Sequence, residues 1–260
     1  MSAGRVVAIV QARMGSTRLS GKVLRDVAGR TILDWVLDRL AQATRIDEIV
    51  VATSVGSKDD VIEAFCRERS VTCFRGSEDD VLGRFEAAAQ THDADIIVRV
   101  NADNPLVDPR YVDVMVDALR SEGGDYVSYR RGDGKPVMLT ALSFFTEAMS
   151  RDCLDRAHRE IDSMFEREHV TLGIYNRPDE YDVRWIDVPV ICNNESLRFT
   201  LDTPEDLAFL ETFLESLGDE AISVDAETVV ASAVTQPEWL KRMDALNNQN
   251  PKTSSSASEG

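Results

Sequence analysis

Between positions 6 and 24 the sequence reads VVAIVQARMGSTRLSGKVL. An apolar run rich in β-branched residues stops abruptly, and Gly15, Ser16, Thr17 and Gly21 follow among the cations Arg13, Arg18 and Lys22. Small residues let successive backbone N–H groups turn toward one point as an anion-binding nest, and the cations add charge-assisted hydrogen bonds. That combination suits phosphates. The spacing matches neither the G-x-x-x-x-G-K-[ST] of a P-loop nor the G-x-G-x-x-G of a dinucleotide fold, so neither site is expected. Taken by itself, the segment also fits a basic surface loop after a buried strand.

Two carboxylates are candidates to join this loop. Asp103 lies in RVNADNPLVDP and Asp202 in RFTLDTPEDL, each after a strand-like segment and among turn residues. Ligands of parallel sheets bind beyond the carboxyl ends of the strands, so in such a sheet both side chains emerge at the edge that carries the cationic loop. They would offer two hard oxygen ligands beside a polyphosphate, which is how magnesium is commonly held. The structural alternative is that Asp202 or Thr203 caps the next helix and Asp103 makes a turn. His169, in FEREHVT, is open to an acid, base or substrate role or to a helix-end hydrogen bond beside Arg167 and Glu168. Trp35 and Trp185 read as packing groups.

Alternating strand-like and helix-like segments must position these groups. Strands are expected at 6–11, 49–53, 71–74, 95–100, 125–129, 137–144, 181–188 and 197–201. Helices are expected at 31–43, 58–69, 81–90, 109–121, twice within 152–169, and at 204–217. Thr31 with Asp34 forms a capping pair, and Pro109 sits early in its helix. This alternation predicts an α/β fold with a mainly parallel sheet covered on both faces.

The composition bounds the function. A formal net charge of −17 over 260 residues opposes non-specific binding to nucleic acid or anionic membranes, which makes the cationic loop a local exception. Cys66, Cys73, Cys153 and Cys192 are scattered, without metal-ligand spacing, and read as reduced packed thiols. No run is long enough to span a membrane and no charged-then-apolar leader opens the chain, so a cytoplasmic protein is expected. One domain is expected over 1–246, followed by a disordered polar tail at 247–260.

QARMGSTRLSGKVL, RVNADNPLVDP, FEREHVT and LRFTLDTPEDL, in this order across most of 5–215, resemble the signature blocks of a cytidylyltransferase family. The family includes spore-coat polysaccharide biosynthesis proteins of the SpsF type and, more distantly, 3-deoxy-manno-octulosonate and acylneuraminate cytidylyltransferases. The resemblance implies a Rossmann-like three-layer nucleotidyltransferase fold with a mixed, mainly parallel sheet. It also implies CTP as the nucleotide, Mg2+ as cofactor, a small acidic or sugar acceptor and a homodimer. By position, Gln11, Ala12, Arg13, Gly15 and Ser16, then Thr17, Arg18 and Lys22, match the nucleotide-binding loop, with Arg13, Arg18 and Lys22 stabilising charge on the reacting phosphates. Asn101 lies where related enzymes place an amide near the nucleotide, and Ser77 in RGSEDDVLGR is a candidate contact to the base. Asp103 and Asp202 match the metal-binding acids, while His169 and Thr140 are candidate substrate contacts.

Two departures bear on function. Ser20 stands where the family's loop usually carries proline, and the stretch PVMLTALS at 136–143 offers Met138 and Thr140 where many SpsF-type proteins carry acids facing the acceptor. A less anionic pocket there would suit a carboxylate or phosphonate acceptor, with Arg130, Arg131 and Lys135 as candidate partners or else as solvated turn residues. The function expected is transfer of CMP from CTP to a sugar acid or similar acceptor, with release of pyrophosphate, in surface-polysaccharide synthesis. A glycosyltransferase of the related nucleotide-sugar-binding fold and a non-catalytic nucleotide-binding protein are the alternatives.

Overall fold

The computed structural model describes residues 4–16 and 18–250. Strand β1 (Val6–Gln11) is buried along Val6 to Val10 and apolar on both faces, as a central parallel strand must be. A two-stranded hairpin, β2 (Asp26–Val27) and β3 (Arg30–Thr31), leads into α1 (Ile32–Leu40). Helix α1 starts on the expected capping pair: the Thr31 hydroxyl accepts the Asp34 N–H at 3.1 Å and the Asp34 carboxylate accepts the Thr31 N–H at 3.3 Å.

Next come β4 (Glu48–Ser54), α2 (Asp60–Glu68), β5 (Thr72–Gly76), α3 (Val81–Thr91), β6 (Ile96–Asn101) and α4 (Pro109–Glu122). The second half contains β7 (Tyr126–Arg130), β8 (Glu147–Ser150), α5 (Arg151–Glu160), α6 (Met164–His169), α7 (Leu172–Tyr175), β9 (Val183–Asp187), α8 (Pro204–Leu217), α9 (Ala226–Val234) and α10 (Pro237–Gln249).

Seven strands form one sheet in the order β5-β4-β1-β6-β8-β7-β9, with β8 antiparallel to both neighbours and the remaining pairs parallel. The alternation of β1 divides the core into two layers. Val6, Ala8 and Val10 share one layer with Leu33 and Val36 of α1 and Met115 of α4. Val7 and Ile9 share the other with Phe85 of α3 and Leu154 of α5. Among the described residues the cysteines are free, as expected, and no helix is long and apolar enough to cross a membrane.

Three expectations are corrected. The segment 137–144 is not a strand: it holds a single 3-10 turn, Val137–Leu139, and Val137, Ala141, Leu142 and Phe144 are buried without a sheet ladder. Residues 197–201 run beside it rather than in the sheet, joined where Phe199 N–H donates to the Ala141 carbonyl at 2.9 Å and the Ser143 hydroxyl to the Phe199 carbonyl at 2.7 Å. The strand that does enter the sheet is β8, whose sequence EAMS carries no β-branched residue. The polar tail was expected from 247, but α10 continues to Gln249. Asn247 Nδ2 donates to the carbonyls of Glu195, Ser196 and Leu197 at 3.1, 3.2 and 3.3 Å, which fixes that end. Residues 251–260, the rest of that expected tail, lie outside the described residues, as does Thr17.

Candidate functional site

Beyond β1 the chain leaves the sheet at its carboxyl edge. Ala12 N–H still reaches the Ala52 carbonyl at 3.1 Å, so this buried residue closes the strand and does not line the cleft. The loop then folds on Met14, whose carbonyl accepts the N–H groups of Ser16 at 2.9 Å and Gly21 at 3.1 Å. Gly21 has φ of 66°, and a Cβ there would stand 2.9 Å from Met14 Cε, so the turn into the 3-10 segment Lys22–Leu24 depends on glycine.

The base of the loop is held by Asp59, a residue no sequence motif indicated. Its carboxylate accepts Met14 N–H at 2.8 Å, Ser54 N–H at 3.2 Å and the Ser54 hydroxyl at 2.6 Å. Burial raises the Asp59 pKa, but these donors outweigh it and hold the carboxyl below its ordinary value. Its contribution to stability is therefore present above an unfolded value of about 3.9 and is lost as pH falls through the lower folded value. Asp59→Asn is expected to cost about 1 to 3 kcal/mol at pH 7, since one acceptor oxygen becomes a donor among donors. In urea unfolding, the gap between variant and wild type should narrow from pH 7 to pH 3, and a gap that does not narrow would refute the role of the charge.

The loop brings Lys22 between the two candidate carboxylates. Lys22 Nζ lies 2.5 Å from Asp103 Oδ2, 2.7 Å from the Leu201 carbonyl and 3.6 Å from Asp202 Oδ1. Burial lowers the Lys22 pKa, but the Asp103 charge and hydrogen bond, with the Asp202 charge, more than offset it and the net shift is upward. Arg18 Nη2 stands 3.6 Å from Asp202 Oδ1 with its side chain 56% exposed, so its charge faces the opening.

Thr203, not Asp202, caps α8: its hydroxyl accepts the Asp206 N–H at 3.2 Å. Asp202 is buried beside Lys22, Arg18 and Arg198, and Arg198 is itself held by Asp206 at 2.7 and 2.9 Å. One ammonium thus lies within 4 Å of two carboxylates, a focus of negative charge that a harder cation could share.

Lys22 and Asp103 open into a cleft of about 400 Å³. Gln11 and Asn101, cross-strand partners at the ends of β1 and β6, lie in its wall with Arg13, Gly15, Ser16 and Arg18. Thr140 and His169 lie there too, although Thr140 spends its hydroxyl on the Val137 carbonyl at 2.7 Å. Arg13 Nη2 reaches Glu168 Oε1 at 3.5 Å, tying the loop to α6. Burial pushes the His169 pKa down, Glu168 opposes this, and Arg99 and Arg13 add to the lowering, so the imidazole is largely neutral at pH 7.

Not every candidate reaches this cleft. Ser77 does not line it; its hydroxyl accepts Asp80 N–H at 3.0 Å. The neighbouring Glu78 does approach the loop, with Oε1 3.8 Å from where a Cβ on Gly15 would lie. Arg130, Arg131 and Lys135 also lie outside the lining. Arg130 pairs with Asp187 at 2.9 Å, and the buried Arg131 pairs with Asp133 and Glu195 at 2.6 Å each, so Arg131 is not a solvated turn residue either. Conversely, Arg99 and Glu147 line the cleft without having been foreseen. The charge within the apolar run IIVRVN was the available signal for Arg99.

A mainly parallel sheet that presents a cationic loop and two carboxylates at its carboxyl edge defines a nucleotidyltransferase-type α/β protein. A model of the cytidylyltransferase family matches residues 7–236, and the chain belongs to that family, which makes it a CTP-dependent nucleotidyltransferase. It is 34% identical over 246 residues to the spore coat polysaccharide biosynthesis protein SpsF of Bacillus subtilis, covering 92% of this chain and 98% of the relative. Among solved structures, a cytidylyltransferase from Leptospira borgpetersenii superposes with TM-score 0.82 at 27% identity, covering 91% of this chain and 97% of the other. CMP:2-keto-3-deoxy-manno-octonic acid synthetase, solved with CTP, shares the fold at TM-score 0.62 and 18% identity, covering 82% of this chain and 99% of the other.

Proposed function

We propose that this protein transfers CMP from CTP to a hydroxyl or acid oxygen of a sugar acid or similar small acceptor, releasing pyrophosphate, in surface-polysaccharide synthesis. The observation that carries this reading is the single point at which Lys22 meets Asp103 and Asp202, beside the open charges of Arg13 and Arg18. The setting in polysaccharide synthesis is taken from the likeness to SpsF.

In the proposed step an acceptor oxygen forms a bond to the α-phosphorus of CTP. The bond from that phosphorus to the bridging oxygen breaks, pyrophosphate leaves with the electron pair, and the acceptor proton passes to solvent. Negative charge grows on the phosphoryl and leaving oxygens, and fixed donors aimed at those oxygens lower the barrier. Arg13, Arg18 and Lys22 are those donors in this reading, while the loop N–H groups hold the remaining phosphate oxygens.

Among the described residues no three His, Cys, Asp or Glu side chains cluster to hold a metal. Two carboxylates with phosphate oxygens do suit magnesium, and Asp103 and Asp202 would hold it. Magnesium, when bound, would polarise the phosphate oxygens and acidify the acceptor hydroxyl. Asp103 and Asp202 also keep Lys22 charged and in place.

The test is pyrophosphate release with CTP, ATP, GTP and UTP against a panel of sugar acids, sugar phosphates and phosphonates in magnesium. Release with CTP and one acceptor class, and little with the other nucleotides, is expected. Equal release from all four nucleotides would overturn the assignment.

A further inference from the structure

The cleft contains a buried ion pair that the transfer of CMP, as described above, does not use. Arg99 and Glu147 are cross-strand partners on β6 and β8, 8% and 4% exposed, and their side chains form a salt bridge. Burying two charges costs desolvation that an apolar pair would avoid, so the pair is a poor staple and suits a site better. Three donors hold Glu147: Oε1 takes the Tyr126 and Thr171 hydroxyls at 2.6 Å each, and Oε2 takes Arg99 Nη1. Arg99 Nε donates to Gln11 Oε1 at 3.1 Å.

Two of the three guanidinium nitrogens are thereby fixed, and for Nη2 there is no hydrogen-bond partner among the described residues. Arg99 lies in the cleft wall together with the largely neutral His169. By the alternation of β6, Arg99 shares its face with Ile97, in the core of α3 and α5, whereas Lys22 precedes Val23 in the core of α1. The triphosphate loop already has three cations of its own.

We propose that Arg99 selects the acceptor, its Nη2 edge receiving an anionic group, carboxylate or phosphonate, on that molecule. Glu147 acts as a positioning residue: held by the Tyr126 and Thr171 hydroxyls, it aims the guanidinium. A planar fork with one side anchored suits a planar or tetrahedral oxyanion better than a neutral hydroxyl. Gln11 fixes the Nε side and touches both the loop strand and this end of the cleft. This assignment rests on the cytidylyl-transfer reading and replaces Arg130, Arg131 and Lys135, which lie outside the cleft lining, as the source of positive charge for the acceptor.

The test is calorimetric binding of 3-deoxy-manno-octulosonate and N-acetylneuraminate, each beside its methyl ester, and of 2-aminoethylphosphonate beside its dimethyl ester, to protein loaded with magnesium and a non-hydrolysable CTP analogue. At least one acid is expected to bind at least about 10-fold more tightly than its ester, and Arg99→Met to weaken that acid about 10- to 100-fold, the scale of one charged hydrogen bond. Binding of the ester and of the CTP analogue should be unchanged, and Arg99→Lys should restore part of the loss. Glu147→Gln should weaken the acid and leave the ester alone, whereas a merely structural role would weaken both. If Arg99→Met does not fold because Glu147 is left buried and unpaired, the double variant Arg99→Met with Glu147→Gln removes both charges and is read in its place. No acid preference, or equal loss of acid and CTP analogue, overturns the proposal. Failure of wild type to bind the CTP analogue instead overturns cytidylyl transfer itself.

Discussion

Asp103→Asn and Asp202→Asn are each expected to lower turnover about 100-fold or more at saturating CTP, the scale of losing several kcal/mol of charge stabilisation. An amide keeps the shape of the side chain but loses the charge that a hard cation and Lys22 both need. The double variant should be little worse than either single one, because both carboxylates serve the same point. Folding should survive: Asp202 does not cap α8, and Arg198 keeps its two bonds to Asp206 at 2.7 and 2.9 Å. Steady-state pyrophosphate release, with circular dichroism as the folding control, decides the matter. Either single variant retaining turnover within about threefold of wild type would remove that carboxylate from the site.

Lys22→Ala is expected to weaken CTP binding by about 1 to 3 kcal/mol, the scale of a lost charged hydrogen bond. It should also lower turnover, because Asp103 and Asp202 would then face each other without the ammonium that lies within 4 Å of both. The Lys22 pKa is raised, so Lys22 itself adds no loss of activity between pH 7 and its ordinary value of 10.5. Arg18→Ala should weaken CTP binding less, since Arg18 is 56% exposed and water screens its charge. Titration calorimetry with CTP measures both variants. Unchanged affinity in both would refute the phosphate role of the loop.

The parts of this site that were legible in the sequence are those whose signal is local. The loop after β1 announces itself because glycine, hydroxyls and three cations fall within twelve positions of a buried apolar run. Asp103 was legible as a strand-end turn residue and Asp202 as a turn residue before a helix, although the run before Asp202 is not a strand and only the structure shows that the two converge on Lys22. The parts that were not legible depend on distant contacts. Asp59 anchors Met14 from 45 residues away, and nothing around either residue in the chain announces the pairing.

Apolar character also misled. The apolar residues of 137–144 and 197–201 serve packing, with Phe144 against Phe199, and a short buried run looks the same whether or not its backbone joins a ladder. Strand β8 shows the converse: it holds its place by pairing with β6 and β7 although EAMS has no β-branched residue, and it delivers Glu147 to Arg99. Cations in the 130–135 turn invited a substrate role, yet Asp133, Asp187 and Glu195 neutralise two of them away from the cleft.

The most direct test of the account is a crystal structure of the protein with CTP and magnesium. It should place the triphosphate on the 13–22 loop, within hydrogen-bond reach of Arg18 and Lys22, and the metal about 2.1 Å from oxygens of Asp103 and Asp202. A triphosphate bound elsewhere, or a metal coordinated by neither carboxylate, would contradict it.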